Sequence, residues 1–177
     1  MTDSTKIAIV DAEMSCIRYV EGIGLEEVLR LLTHCLDSLK TAIKHHGGTI
    51  VESGGAWPGN VSAWLRGTLP SADAAAAAAV EYLRQCPGMD TPECGPPKVP
   101  ISFTFGDAFC RVGDWFGDAL HVNSRVLHEC NSGMILTDGG TVEHLSQEWR
   151  PLTRKLRTIE GRGNLGKIDV YELDWRT

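Results

Sequence analysis

Residues Ile101–Asp138 read ISFTFGDAFCRVGDWFGDALHVNSRVLHECNSGMILTD, and their punctuation predicts strand, tight turn, helix and strand in that order. Val99–Arg111 carries the apolar alternation of a half-buried strand, with Gly106-Asp107 closing the apolar run. Gly113-Asp114 supplies a turn. Gly117-Asp118 opens a helix predicted over Gly117–Cys130, and Gly133–Thr137 forms the next strand. His121 and Arg125 are four residues apart on that helix and share one face. A helix N-terminus and an arginine both favour anions, so the layout suits a phosphate-bearing ligand.

Working outward, Lys6–Asp11 (KIAIVD) is a short β-branched run, predicted as a buried strand that ends in a carboxylate. Leu25–His46 repeats leucine, valine and isoleucine at helical spacing, and Gly47-Gly48 stops it. Thr49–Ser53 and Val61–Arg66 are predicted to pair as a hairpin around the turn-rich GGAWPGN. Ser71 is placed to cap a helix through the six alanines Ala74–Ala79. The Pro/Gly-rich stretch 87–100 reads as a flexible surface loop. Thr141–Gln147 is predicted as a short helix, and Thr153–Ile159 with Lys167–Leu173 as a closing hairpin. The order is that of an α+β fold, a ferredoxin-like βαββαβ core with a mainly antiparallel sheet and helices on one face.

The 177 residues suit one domain, 1–177, with a core of ordinary size, and 42% apolar against 23% charged residues is a globular mix. A net charge of -6 argues against nucleic acid and anionic membrane as partners. The absence of a long apolar run argues against a membrane span, and the N-terminal MTDSTKIAIVDAE is too soon charged for a signal peptide. Six cysteines without a C-x-x-C pair favour reduced thiols and a cytoplasmic location over a disulfide framework; Cys86 and Cys94, flanking the loop, are the alternative pair.

Five segments in this order resemble the class III nucleotidyl cyclase homology domain, the adenylate/guanylate cyclase family. They are IAIVDAE (Ile7–Glu13), HHGGTIVES (His45–Ser53), ADAAAAAAVEYL (Ala72–Leu83), GDAFCRVGDWFGDALHVNSRV (Gly106–Val126) and KIDVYELDW (Lys167–Trp175), so the similarity spans nearly the whole chain. The resemblance implies a nucleoside triphosphate held by two metal ions, Mg²⁺ or Mn²⁺, between two aspartates, and a site completed only in a head-to-tail dimer. It implies Asp11 as the first metal ligand, Arg125 as the transition-state arginine, and Asp114 as the base-selecting acid. His121 stands where the family has a ribose-steadying asparagine. Glu52 stands where it has the base-selecting lysine. Ala56, or Gly59 or Asn60 with an insertion, takes the place of the second aspartate, and Met14 that of a phosphate-turn glycine.

Each of these residues has a plainer reading. Asp11 is alternatively a strand-end carboxylate, or half of an Asp11–Glu13 pair on one strand face. Arg125 is alternatively an ion-pair partner of Asp118, Glu129 or a second subunit. Glu52 and Asp114 are alternatively solvated acids. His45-His46 suits the negative end of its helix, and His121 with His128 suits a surface or interface. Trp57 and Trp64 flank the hairpin as a plug for the nucleotide site or as part of an interface. Two functions follow. One is a dimeric regulatory or nucleotide-sensing module in intracellular signalling, without two-metal catalysis, meeting any protein partner in trans. The other is an active cyclase with a rearranged site that makes a cyclic nucleotide.

Overall fold

The structure, a computed structural model, describes residues 4–15, 24–54, 62–85, 99–131 and 133–177. Trp57, Cys86, Cys94 and most of the 87–100 loop lie outside the described residues, as does the side chain of Met14. The described residues form the strands β1 Thr5–Ser15, β2 Thr49–Gly54, β3 Ser62–Leu69, β4 Ile101–Arg111, β5 Asp114–Phe116, β6 Ile135–Asp138, β7 Thr153–Glu160 and β8 Lys167–Leu173. Their α-helices are α1 Leu25–His45, α2 Ala72–Gln85, α3 Asp118–His128 and α4 Gly139–His144. The sheet order is β2-β3-β1-β4-β6-β8-β7, with β5 folded back on β4. Among the described residues only the β4/β6 neighbours run parallel. This is the mainly antiparallel α+β architecture that the sequence predicts.

The central strands are buried on both sides, and strand alternation assigns the sides. Ala8, Val10 and Ala12 of β1 join Ile101 and Phe103 of β4 in the large core under α1 and α2. Ile9 instead packs with Ala108, Ala119 and Leu120, beneath α3. The hydroxyls of Ser102 and Thr104 point the same way and donate to backbone carbonyls of α3 at Asn123 and Ala119. α1 and α2 therefore cover one face and α3 the other, where the sequence predicts helices on one face. Both parities of β1 are apolar, so both faces of the sheet centre need a cover. The alanine run works as a spacer: Ala75, Ala76, Ala78 and Ala79 are fully buried, which lets α2 lie close to its neighbours.

Several local expectations hold. The Ser71 hydroxyl accepts the Ala74 amide at 3.1 Å, capping α2. Gly47 ends α1 with φ 76, a left-handed value suited to glycine. Several boundaries move. β1 does not end at Asp11 but continues to Ser15, and α4 begins at Gly139 because Asp138 caps it, accepting the amides of Gly140 and Thr141.

Candidate functional site

The extension of β1 puts Asp11 in the middle of a strand, 5% exposed, opposite Arg66 of β3 on one side and Ser102 of β4 on the other. A buried carboxylate in mid-strand needs a counter-charge. Arg66 provides it in a two-pronged pair: Nε donates to Oδ1 at 2.7 Å and Nη2 to Oδ2 at 2.8 Å. On the far side of Arg66, Glu52 of β2 approaches Nη1 at 3.8 Å. Glu52 reaches this face through a register shift between Ile50 and Glu52; Ile50 itself packs toward the α1/α2 core. The three side chains make a rung of alternating charge, Glu52–Arg66–Asp11, across three neighbouring strands. Hydrogen bonding to Asp11, opposed by burial and supported by the charges of Asp11 and Glu52, raises the Arg66 guanidinium above its ordinary value.

Both oxygens of Asp11 are thus engaged by a fixed cation. Mg²⁺ and Mn²⁺ require hard oxygen ligands that are free to coordinate. Among the described residues, the carboxylate that the resemblance makes a metal ligand does not fit one while Arg66 occupies it. Glu13 shares the strand face but is exposed and lies opposite Trp64 rather than beside a second carboxylate. Glu52 is about half exposed, yet faces an arginine and is not a lone solvated acid.

The second polar group is built on α3. Gly117 precedes it with φ 139, and a Cβ there would lie 2.6 Å from the Asp107 carbonyl, so glycine is required for the turn into the helix. Ala119, Leu120, Asn123 and Val126 face the sheet. His121, Arg125 and His128 face away, into a cleft of about 550 Å³ closed on its other side by Arg162–Leu165. Arg125 makes no ion pair among the described residues: Glu129 pairs with Arg157 at 3.1 Å, and the Arg125 Nε is buried without a hydrogen-bond partner. The cleft gathers Arg125, Arg162 and two histidines against one acid, Asp118. That balance suits an anion. Asp114 sits apart, exposed at the start of β5.

The structure therefore brings His121 and Arg125 together, joins Asp11 to Glu52 through Arg66, and leaves Asp114 with neither group. No residue of the Asp11 rung lines the α3 cleft. Neither Arg66 nor Arg162 is among the site residues that the sequence predicts. Arg66 carried a legible signal, a lone charge in a strand otherwise apolar or small. Among the described residues, the Asn123 side-chain nitrogen and oxygen are buried beneath α3 without hydrogen-bond partners.

No protein-family model and no curated protein matches the sequence. Solved structures do match in shape. An adenylate/guanylate cyclase/hydrolase from Silicibacter pomeroyi superposes with TM-score 0.79 at 21% identity, over 98% of each chain. The guanylate cyclase domain of RhGC from Catenaria anguillulae, in complex with GTP, gives 0.75 at 18% identity over 99% of this chain and 100% of that one. The chain has the class III nucleotidyl cyclase fold. The adenylyl cyclase CyaB from P. aeruginosa agrees, at 0.69 and 16% identity over 98% and 96% of the two chains. A cyclase-fold scaffold is thus combined here with an arginine on the carboxylate that the sequence resemblance assigns to metal.

Proposed function

We propose that this chain is a class III cyclase homologue that does not run two-metal catalysis and acts as a homodimeric regulatory module of intracellular signalling. The observation that carries this reading is the bidentate Arg66–Asp11 pair, which replaces an exchangeable cation by a covalently attached one. The reversed charge at Glu52 extends the same substitution: it balances Arg66 where the resemblance implies a base-selecting lysine. The α3 cleft, with an unpartnered Arg125 Nε and a basic lining, favours nucleotide sensing as the form this regulation takes, the phosphates meeting Arg125 and His121.

The test combines binding with chemistry. Purified protein is incubated with ATP, GTP, CTP or UTP and Mg²⁺ or Mn²⁺. Cyclic products are sought by mass spectrometry, and binding is followed by thermal shift. The expected result is no cyclic product, with a nucleotide-dependent rise in melting temperature that is lost in Arg125→Ala. Turnover that depends on Asp11 and on the divalent cation overturns the reading in favour of an active cyclase.

A further inference from the structure

On the face of the sheet away from Asp11, α1 ends in His45, with His46 following, against Glu81 of α2. His45 Nδ1 lies 2.8 Å and His46 Nε2 2.9 Å from the same oxygen, Glu81 Oε2. The three atoms lie within 4.8 Å of one another. Adjacent helical residues do not share a face. These two converge because His46 has left the helix, at φ -91 and ψ 21, which swings its ring back to 4.9 Å from that of His45.

We propose that His45, His46 and Glu81 form a binding site for a borderline transition-metal cation, Zn²⁺ or its neighbours Ni²⁺ and Cu²⁺. Two imidazoles and one carboxylate are a ligand set these ions take, Zn²⁺ commonly with water in the open fourth position. Bonds of about 2.0–2.1 Å in a tetrahedron place ligand atoms roughly 3.3–3.4 Å apart. Each histidine–glutamate distance therefore opens by about half an ångström, while the two ring nitrogens draw together. The His45 side chain is 69% exposed and free to make that adjustment, and its exposure gives the ion a route in.

The carboxylate is already held for the task. Gln85 Nε2 donates to Glu81 Oε1 at 3.2 Å, which leaves Oε2 to the ligand position, as outer partners of metal carboxylates do. Gln85 lies one helical turn beyond Glu81, so the carboxylate and its positioning amide come from the same helix. A bound ion would tie the end of α1 to the last turns of α2, in place of the two histidine–glutamate contacts.

The experiment uses the metal-stripped full chain titrated with Zn²⁺ by calorimetry, with melting temperature measured alongside. The wild type is expected to bind one equivalent at this site and to melt higher with Zn²⁺. Glu81→Gln and His45→Asn are expected to weaken that equivalent at least ~10-fold. His45→Asn changes a largely exposed side chain, so its result does not hinge on folding. Electron paramagnetic resonance of the Cu²⁺-loaded wild type reads the ligands directly and is expected to show two imidazole nitrogens. No stoichiometric binding by the wild type, unchanged affinity in both variants, or a Cu²⁺ spectrum without imidazole nitrogen overturns the site.

Discussion

Arg66→Ala leaves the Asp11 carboxylate buried without a partner. Removing one member of a buried pair costs about 3–5 kcal/mol. The Arg66 side chain is 23% exposed, so solvent screens part of the pair and the low end, about 3 kcal/mol, is expected. For a chain of this size that corresponds to a fall in melting temperature of roughly 6–12 °C. Asp11→Asn/Arg66→Ala removes both charges together and is expected to recover most of the loss, since an uncharged pair has no desolvation debt to meet. Chemical denaturation of the wild type, the two single variants and the double variant closes a mutant cycle. A second readout is specific to the cation: Mn²⁺ is expected to raise the melting temperature of Arg66→Ala and not that of the wild type. A loss under about 1 kcal/mol for Arg66→Ala, with additive energies around the cycle, would refute the argument that a fixed charge holds this part of the sheet.

Other expectations follow from single positions. Val112 sits at the tip of the β4–β5 turn with φ 55 and 97% exposure, a strained backbone for a β-branched residue with no packing to offset it. Val112→Asn is expected to stabilise by about 1 kcal/mol in urea denaturation; a loss of stability would show that Val112 has a packing role. The Cys130 thiol, pushed up to about 12 chiefly by burial, donates to the Ile101 and Met134 carbonyls, whereas Cys110 is exposed. Peptide mapping after brief alkylation at neutral pH should find Cys110 labelled and Cys130 intact, and equal labelling counts against this packing. Burial raises the Asp138 carboxyl above its ordinary value, against hydrogen bonds from Thr141 and Gly140. The folded chain then binds the proton more readily than the unfolded one, so this group's contribution to stability grows as pH falls through its folded pKa toward about 4 and is absent above it. Asp138→Asn keeps a competent cap. It is therefore expected to match or exceed wild-type stability at pH 7, with any advantage shrinking on acidification; an advantage that grows on acidification contradicts the sign.

The architecture was legible because its signals are local. The alternation of Val99–Arg111, the leucine repeat of α1 and the glycines at 47 and 117 each mark an element within a few residues. The resemblance rested on such words, and the fold agrees with it. The rung at Asp11 was not legible, because it depends on register between strands whose paired residues are 55 apart in sequence. Period-two alternation assigns a face to Asp11 and a face to Arg66, but not the pairing that sets them opposite. A charge that interrupts an apolar run predicts a strand end at Asp11; its partner lies on β3. The Glu52 register shift is likewise a property of the paired strands. The sequence places His45-His46 at a helix end, where they lie; that Glu81 lies against them depends on the packing of α1 on α2.

A dissociable ion occupies its ligands to an extent set by its concentration and by competitors in solution. The guanidinium of Arg66 cannot leave. On the proposed reading, the centre of this sheet does not respond to how much Mg²⁺ surrounds it, and chelators have nothing there to remove. Its charge balance is inherited with the chain and set at folding, so this part of the molecule has one electrostatic state where a loaded and an empty metal centre would have two.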